Sequence, residues 1–144
     1  MVHINRLFTP SVHTSILSSS LLLAVRIVFG LLFLNHGIDK WITFGDMAMA
    51  FPDPLGVGSS ISLLLVLFAE ILCSIAFIIG LLFRLALLPM IFTMIMAVFV
   101  IHSGDPIEVR EPAIIYLTMF VVMFISGPGK FSVDATIQRY LQAK

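Results

Sequence analysis

Charge is what this chain has least of. Only 11% of its 144 residues are Asp, Glu, Lys or Arg, against about 25% in an ordinary soluble domain, while hydrophobic residues reach 60%. A chain this short cannot enclose so much apolar side chain in a core of its own, so the composition calls for lipid as the solvent. Neither sign of charge prevails: eight Lys and Arg balance eight Asp and Glu, which leaves no basic footprint for nucleic acid. Cysteine is nearly missing as well. The single Cys73 excludes an intrachain disulfide and any Cys-x-x-Cys redox pair. A removable signal peptide is not expected either. The start of the chain has Arg6 but no basic cluster leading to a small-x-small cleavage site, and the apolar run after Ser20 contains Arg26 and is long enough to span.

What is present is four long apolar segments, at 18–39, 59–80, 84–102 and 112–127. Each approaches the 20 or so residues a helix needs to cross about 30 Å of hydrocarbon. They are too continuous for barrel strands, and only helices or closed barrels satisfy their backbone in lipid. The expected fold is all-α: a polytopic membrane protein with a four-transmembrane-helix bundle over 18–130. An N-terminal interfacial segment over 1–17 and a short C-terminal interfacial helix over 131–144 flank it. The connectors fit this plan. FPDPLGVGSS is rich in turn formers, GLLFR is short enough to make spans two and three antiparallel neighbours, and Pro112 suits a first helical turn. Ser132 stands where an N-cap of the last helix is expected. With both termini cytoplasmic, Arg6, Arg84, Lys130, Arg139 and Lys144 lie inside and only Lys40 and Arg110 outside, as the positive-inside rule prefers.

Two charges fall within the spans. Arg26 lies about 12 Å from the inner end of span one and Glu70 about 15 Å from that of span two, at 1.5 Å per residue. Each alone costs roughly 2.5–3.5 kcal/mol at a helix centre, and a bidentate Arg–carboxylate contact is the cheapest way to keep both. The expectation is therefore a buried ion pair, Arg26–Glu70. Helical spacing agrees: Arg26, Gly30, Phe33, Gly37 and Lys40 share one stripe, on which Gly30 and Gly37 allow close helix packing. Ser59, Glu70, Cys73, Ser74 and Phe77 share a face of span two. Such a pair can fix helix register alone, or it can hold a polar centre open for a ligand.

At the outer ends of the spans stand His36, Lys40, His102, Asp105 and Tyr116. Gathered in one layer, they form a candidate ligand or proton site, since histidine beside lysine and carboxylates suits proton transfer or a small polar headgroup. Trp41, Phe44 and Tyr116 can flank a ring-shaped ligand such as a quinone. The plain alternative is an interfacial belt, where Trp, Tyr, Lys and His gather without chemistry. His36, His102 and Asp105 lack the spacing of a metal motif, and no metal is expected. GPGK lacks the upstream glycine and the following Ser or Thr of a phosphate loop.

RIVFGLLFLNHGIDKW resembles the first-helix signature of the DoxX family, and FAEILCSIAFIIGLLFRLA resembles its second-helix pattern. HSGDPIEVREPAIIYL and GPGKFSVD are similar to the third connector and closing segment of bacterial members. The resemblance covers residues 20–136. It implies a small four-helix protein of the bacterial cytoplasmic membrane, in a family that takes its name from relatives of a thiosulfate:quinone oxidoreductase subunit. Arg26, Gly30, His36, Gly37, Lys40, Glu70, Gly80 and Arg84 match its pattern without being assigned catalytic roles. The expected function is a redox-associated, quinone-linked subunit with a membrane oxidoreductase partner, and a bundle this small is expected to form a homo-oligomer. The alternative is a non-enzymatic scaffold, assembly factor or small permease.

Overall fold

A computed structural model describes residues 15–143, so the expected interfacial segment over 1–17 lies almost wholly outside the described residues. All the regular structure among them is helical. Four helices are long and apolar enough to cross a membrane: α1 (Ile16–Ile42), α3 (Ser59–Ile79), α4 (Phe83–Ile101) and α5 (Ile107–Ser126). A single turn, α2 (Phe44–Met47), follows α1, and α6 (Val133–Gln142) closes the chain.

The helix ends differ from expectation for local reasons. Ser15 caps α1 by accepting from the Ser18 amide at 3.1 Å, so the helix begins at Ile16 and runs for 27 residues. Helix α5 begins at Ile107 after Pro106, which puts Pro112 inside the helix rather than in its first turn. At α6, Ser132 Oγ accepts from the Ala135 amide at 3.1 Å.

The end of the bundle where α1 starts and α6 lies, here the terminal end, is tightly tied. Gly80 takes a left-handed conformation, φ 72°, and the Leu81 amide returns to the Ala76 carbonyl at 2.9 Å, a glycine-terminated helix end. Leu82 is also left-handed, φ 45°, a costly geometry for a residue with a Cβ. Asp134 holds it there. Its two carboxylate oxygens accept from the Leu82 and Phe83 amides at 2.9 Å each, capping α4 from across the chain.

Arg26 does the complementary work on α3. Its guanidinium donates to the carbonyls of Phe77 (3.1 Å), Ile78 (2.6 Å), Pro128 (2.8 Å) and Phe131 (2.8 Å). The first two are end carbonyls of α3, where the helix dipole is negative. The last two belong to the loop after α5, so one side chain ties α1 to two other parts of the chain. It is 1% exposed and stands 5.9 Å from the Phe83 ring centroid, within cation–π range.

The expected Arg26–Glu70 pair is therefore not formed, and Glu70 bonds to Lys40 instead. The reason is register. A Cβ on Gly30 would strike the Ile78 side chain, and one on Gly37 would lie 2.7 Å from Ile71 Cγ1 and 2.8 Å from Glu70 Cβ. These two close approaches put Glu70 level with Gly37, eleven residues from Arg26, or about 16 Å along the helix. The spans do not start from a common plane: α1 runs past the end of α3 by more than two turns. The stripe itself is as expected, since the buried residues of α1 are Ser19, Arg26, Gly30, Phe33 and Gly37.

The hydrophobic core fills the terminal half. Phe77 stacks on Phe83 at 5.3 Å, Phe120 meets Phe33 and Phe77 edge-on, and Leu87, Met90 and Met123 complete it. The other, distal half is looser. Three irregular features lie there or at its border: α3 widens to π geometry over Phe68–Cys73, α4 does so over Ala97–Ile101, and Pro89 stands inside the α-helical part of α4. Proline and π turns both bend helices. From Phe68 onwards α3 packs on both α1 and α4, whereas its first part, Ser59–Leu67, keeps a weaker contact with α1 and makes little contact with α4.

Candidate functional site

The loosened distal half holds a cavity of about 620 Å³, within the size range of small-molecule sites. Its floor is Phe33, whose ring stands 5.2 Å from that of Tyr116. Apolar side chains make most of the wall, including Leu65 and Phe68 of α3, Phe92 and Met96 of α4, and Ala113 of α5. The polar side chains on it are His36, Lys40, Ser62, Glu70, Thr93, His102 and Tyr116.

At one end of this polar set is the ion pair. Lys40 Nζ lies 2.9 and 2.8 Å from the two carboxylate oxygens of Glu70, a single cation shared by a fork of acceptors. The side chain of Glu70 is 4% exposed and that of Lys40 25%. Lys40 reaches down from near the end of α1, while Glu70 sits halfway along α3 in the π segment. π turns collect at functional sites because the extra residue re-aims a side chain. His36, one turn before Lys40 on α1, meets the Tyr116 ring edge-on at 5.8 Å. His102, the first residue after α4, has Nδ1 2.7 Å from a carboxylate oxygen of Asp105, which favours a proton on Nδ1 and leaves Nε2 free to accept or donate.

The distal mouth carries the loop before α3, of which Phe51, Pro52, Pro54 and Leu55 line the cavity. Asp53 fastens this loop. Its carboxylate accepts from Ser62 Oγ (2.6 Å) and from the Val57 (3.1 Å) and Gly58 (2.7 Å) amides. The Ser62 hydroxyl first, and then the backbone amides, hold the Asp53 carboxyl below its ordinary pKa of 3.8.

Of the residues singled out from the sequence, His36, Lys40, Glu70, His102 and Tyr116 line the one cavity, and Asp105 stands behind His102. Arg26 is far from it. Trp41 and Phe44 stand against each other, ring centroids 6.3 Å apart, away from the wall. Among the described residues no three His, Cys, Asp or Glu come together as a metal would require. Ser62, Thr93 and the 51–55 loop were not anticipated. The two hydroxyls and Pro89 within long apolar runs were the available signal, since polar or helix-breaking residues at membrane depth line cavities.

No curated protein and no solved structure matches the chain. Residues 21–103 match the DoxX family model, an interval that holds Arg26, His36, Lys40, Glu70 and His102 but not Asp105 or Tyr116. With three of its four spans and more than half its length so matched, this multi-pass membrane protein belongs to the DoxX family.

Proposed function

We propose that the protein is a redox-associated subunit of the bacterial cytoplasmic membrane that binds a quinone-type ligand in the distal cavity and serves a membrane oxidoreductase partner. The supporting observation is that His36, Lys40, Glu70, His102 and Tyr116 share the wall of one otherwise apolar cavity. That donor set suits a ring carrying two carbonyl oxygens: an apolar slot for the ring, and cationic or hydroxyl donors at its ends. When bound, such a ring supplies two-electron, two-proton chemistry. The chain's part is to orient it and to move protons. Tyr116 is the donor that meets the floor, Glu70 is a buried carboxylate that can exchange a proton with Lys40, and His102 with Asp105 continues the polar path to the distal surface. With the terminal end cytoplasmic, as the basic residues favour, this path leads to the outer face.

The scaffold reading has one observation in its favour: Arg26, the most deeply buried charge, is spent entirely on backbone carbonyls. Gentle isolation in native lipid patches, followed by solvent extraction and analysis for quinones, separates the two. Co-extracted quinone, or a rise in melting temperature on adding decyl-ubiquinone that Glu70→Gln reduces, is the expected result. Absence of both co-extracted quinone and a melting shift would remove the redox reading and leave the scaffold.

A further inference from the structure

We propose that the cavity opens sideways into the membrane between α3 and α4, and that its ligand is a membrane amphiphile whose head lies at the Lys40–Glu70 end while its hydrocarbon tail remains in lipid. This deepens the reading above and takes from it only the chemistry of the head.

Leu65, Phe68 and Phe92 line the cavity and are also 49%, 47% and 48% exposed. A side chain that faces both an internal space and the outside stands at an opening. The two α3 residues lie six and nine positions into the helix, roughly 9–14 Å from its distal end, and so within hydrocarbon. The opening has a structural cause: the first part of α3 makes little contact with α4, and α4 carries Pro89 in its interior and widens after Met96. Its rim is apolar, because the one hydroxyl there, Thr93 Oγ1, donates to the Pro89 carbonyl at 2.9 Å. The distal mouth carries the apolar loop that Asp53 fastens, and Leu55 of that loop lines the cavity while 46% exposed, so the loop narrows this mouth rather than closing it. A solute from water must pass that apolar loop. A molecule already dissolved in lipid meets a gap without a desolvation cost. The cavity's asymmetry, polar at one end and apolar at the gap, orients such a molecule head inward.

The test uses the full chain in lipid nanodiscs and a palmitic acid carrying a diazirine on its chain, with labelled residues found by peptide mass spectrometry after illumination. Wild type should be labelled on Ala113 or Tyr116, across the cavity from the gap, as well as on lipid-facing Leu72. Filling the gap with Leu65→Trp and Thr93→Phe together should cut the interior label by about tenfold, equivalent to about 1.4 kcal/mol in access, while the Leu72 label stays unchanged. Leu65→Ala should raise the interior label, which guards against misfolding of the filled variant. Absence of interior label in wild type, or its survival in a filled variant that melts normally, overturns the portal and places entry elsewhere. Interior labelling without any quinone binding would instead keep the portal and reject the quinone head.

Discussion

Removing Lys40 should be more damaging than removing Glu70, although the two make the same bond. In Lys40→Met the carboxylate of Glu70, 4% exposed, is left without a cation in the bundle interior. Breaking a buried pair in this way costs about 3–5 kcal/mol. In Glu70→Gln the ammonium of Lys40, already 25% exposed, can swing towards the distal interface as lysines near helix ends do, so the loss is nearer the value of a charged hydrogen bond, about 1.5–3 kcal/mol. The double variant removes both charges and should cost less than the sum of the two. Cys73 supplies the assay. It is the only cysteine and is buried, so a thiol-reactive fluorophore reports unfolding of the wild-type sequence during a thermal ramp. At about 4 °C per kcal/mol for a chain of this size, Lys40→Met should melt roughly 12–20 °C below wild type and Glu70→Gln clearly less. Additive losses, with a coupling energy below about 0.5 kcal/mol, would mean that the pair carries no interaction and that the account of the polar end is wrong.

Arg26→Lys keeps the charge but not the fork, so of four carbonyl bonds at most three can remain; a melting loss equivalent to about 2–4 kcal/mol is expected, and an unchanged melt would refute the stapling role. Gly37→Ala places a methyl 2.7–2.8 Å from Ile71 and Glu70, forcing α1 from α3; it should destabilise by about 1–3 kcal/mol and weaken any ligand response of the cavity, whereas Gly45→Ala, with open space around it, should do neither in the same thermal assay. Asp53 sets a pH dependence. Its folded pKa is depressed, so its contribution is complete above the ordinary value of 3.8 and disappears as pH falls through the lower folded value. Amide exchange at Val57 and Gly58, corrected for the intrinsic rate, should rise only below that ordinary value, and Asp53→Ala should show the fast exchange at neutral pH. Protection that persists in Asp53→Ala would show the loop to be held by something else.

The sequence carried the helices well because twenty apolar residues in a row have few alternatives once lipid is the solvent. It also carried the facing stripes, since Gly30, Phe33 and Gly37 repeat at helical spacing whatever the partner. Depth was the weak quantity. Counting residues from the apparent end of each span put Arg26 and Glu70 at one level, and nothing local warned that α1 runs past α3. The acceptors of Arg26 were illegible for a related reason: they are carbonyls, which every residue has, and two of them come from a loop whose residues offered only turn propensity. Lys40 was on the right stripe but was placed at the surface, because a lysine near a helix end usually faces water. The distal residues were legible as a group through their polarity. Their common cavity was not, because it depends on the two π turns and on how little the first part of α3 touches α4, which no pattern of residue types announces.

The carbonyls of Pro128 and Phe131 that receive Arg26 lie 102 and 105 residues further along the chain. At 5–20 residues per second of synthesis, roughly 5–20 s separate the arginine's birth from that of its last partners. During that interval the first hairpin must wait in the bilayer with part of a guanidinium unserved, held by water, lipid phosphate or the insertion machinery. A chain cut short before the closing loop would therefore lack more than its tail: its opening helix would carry an unanswered cation, a mark by which a quality-control protease could tell unfinished copies from finished ones.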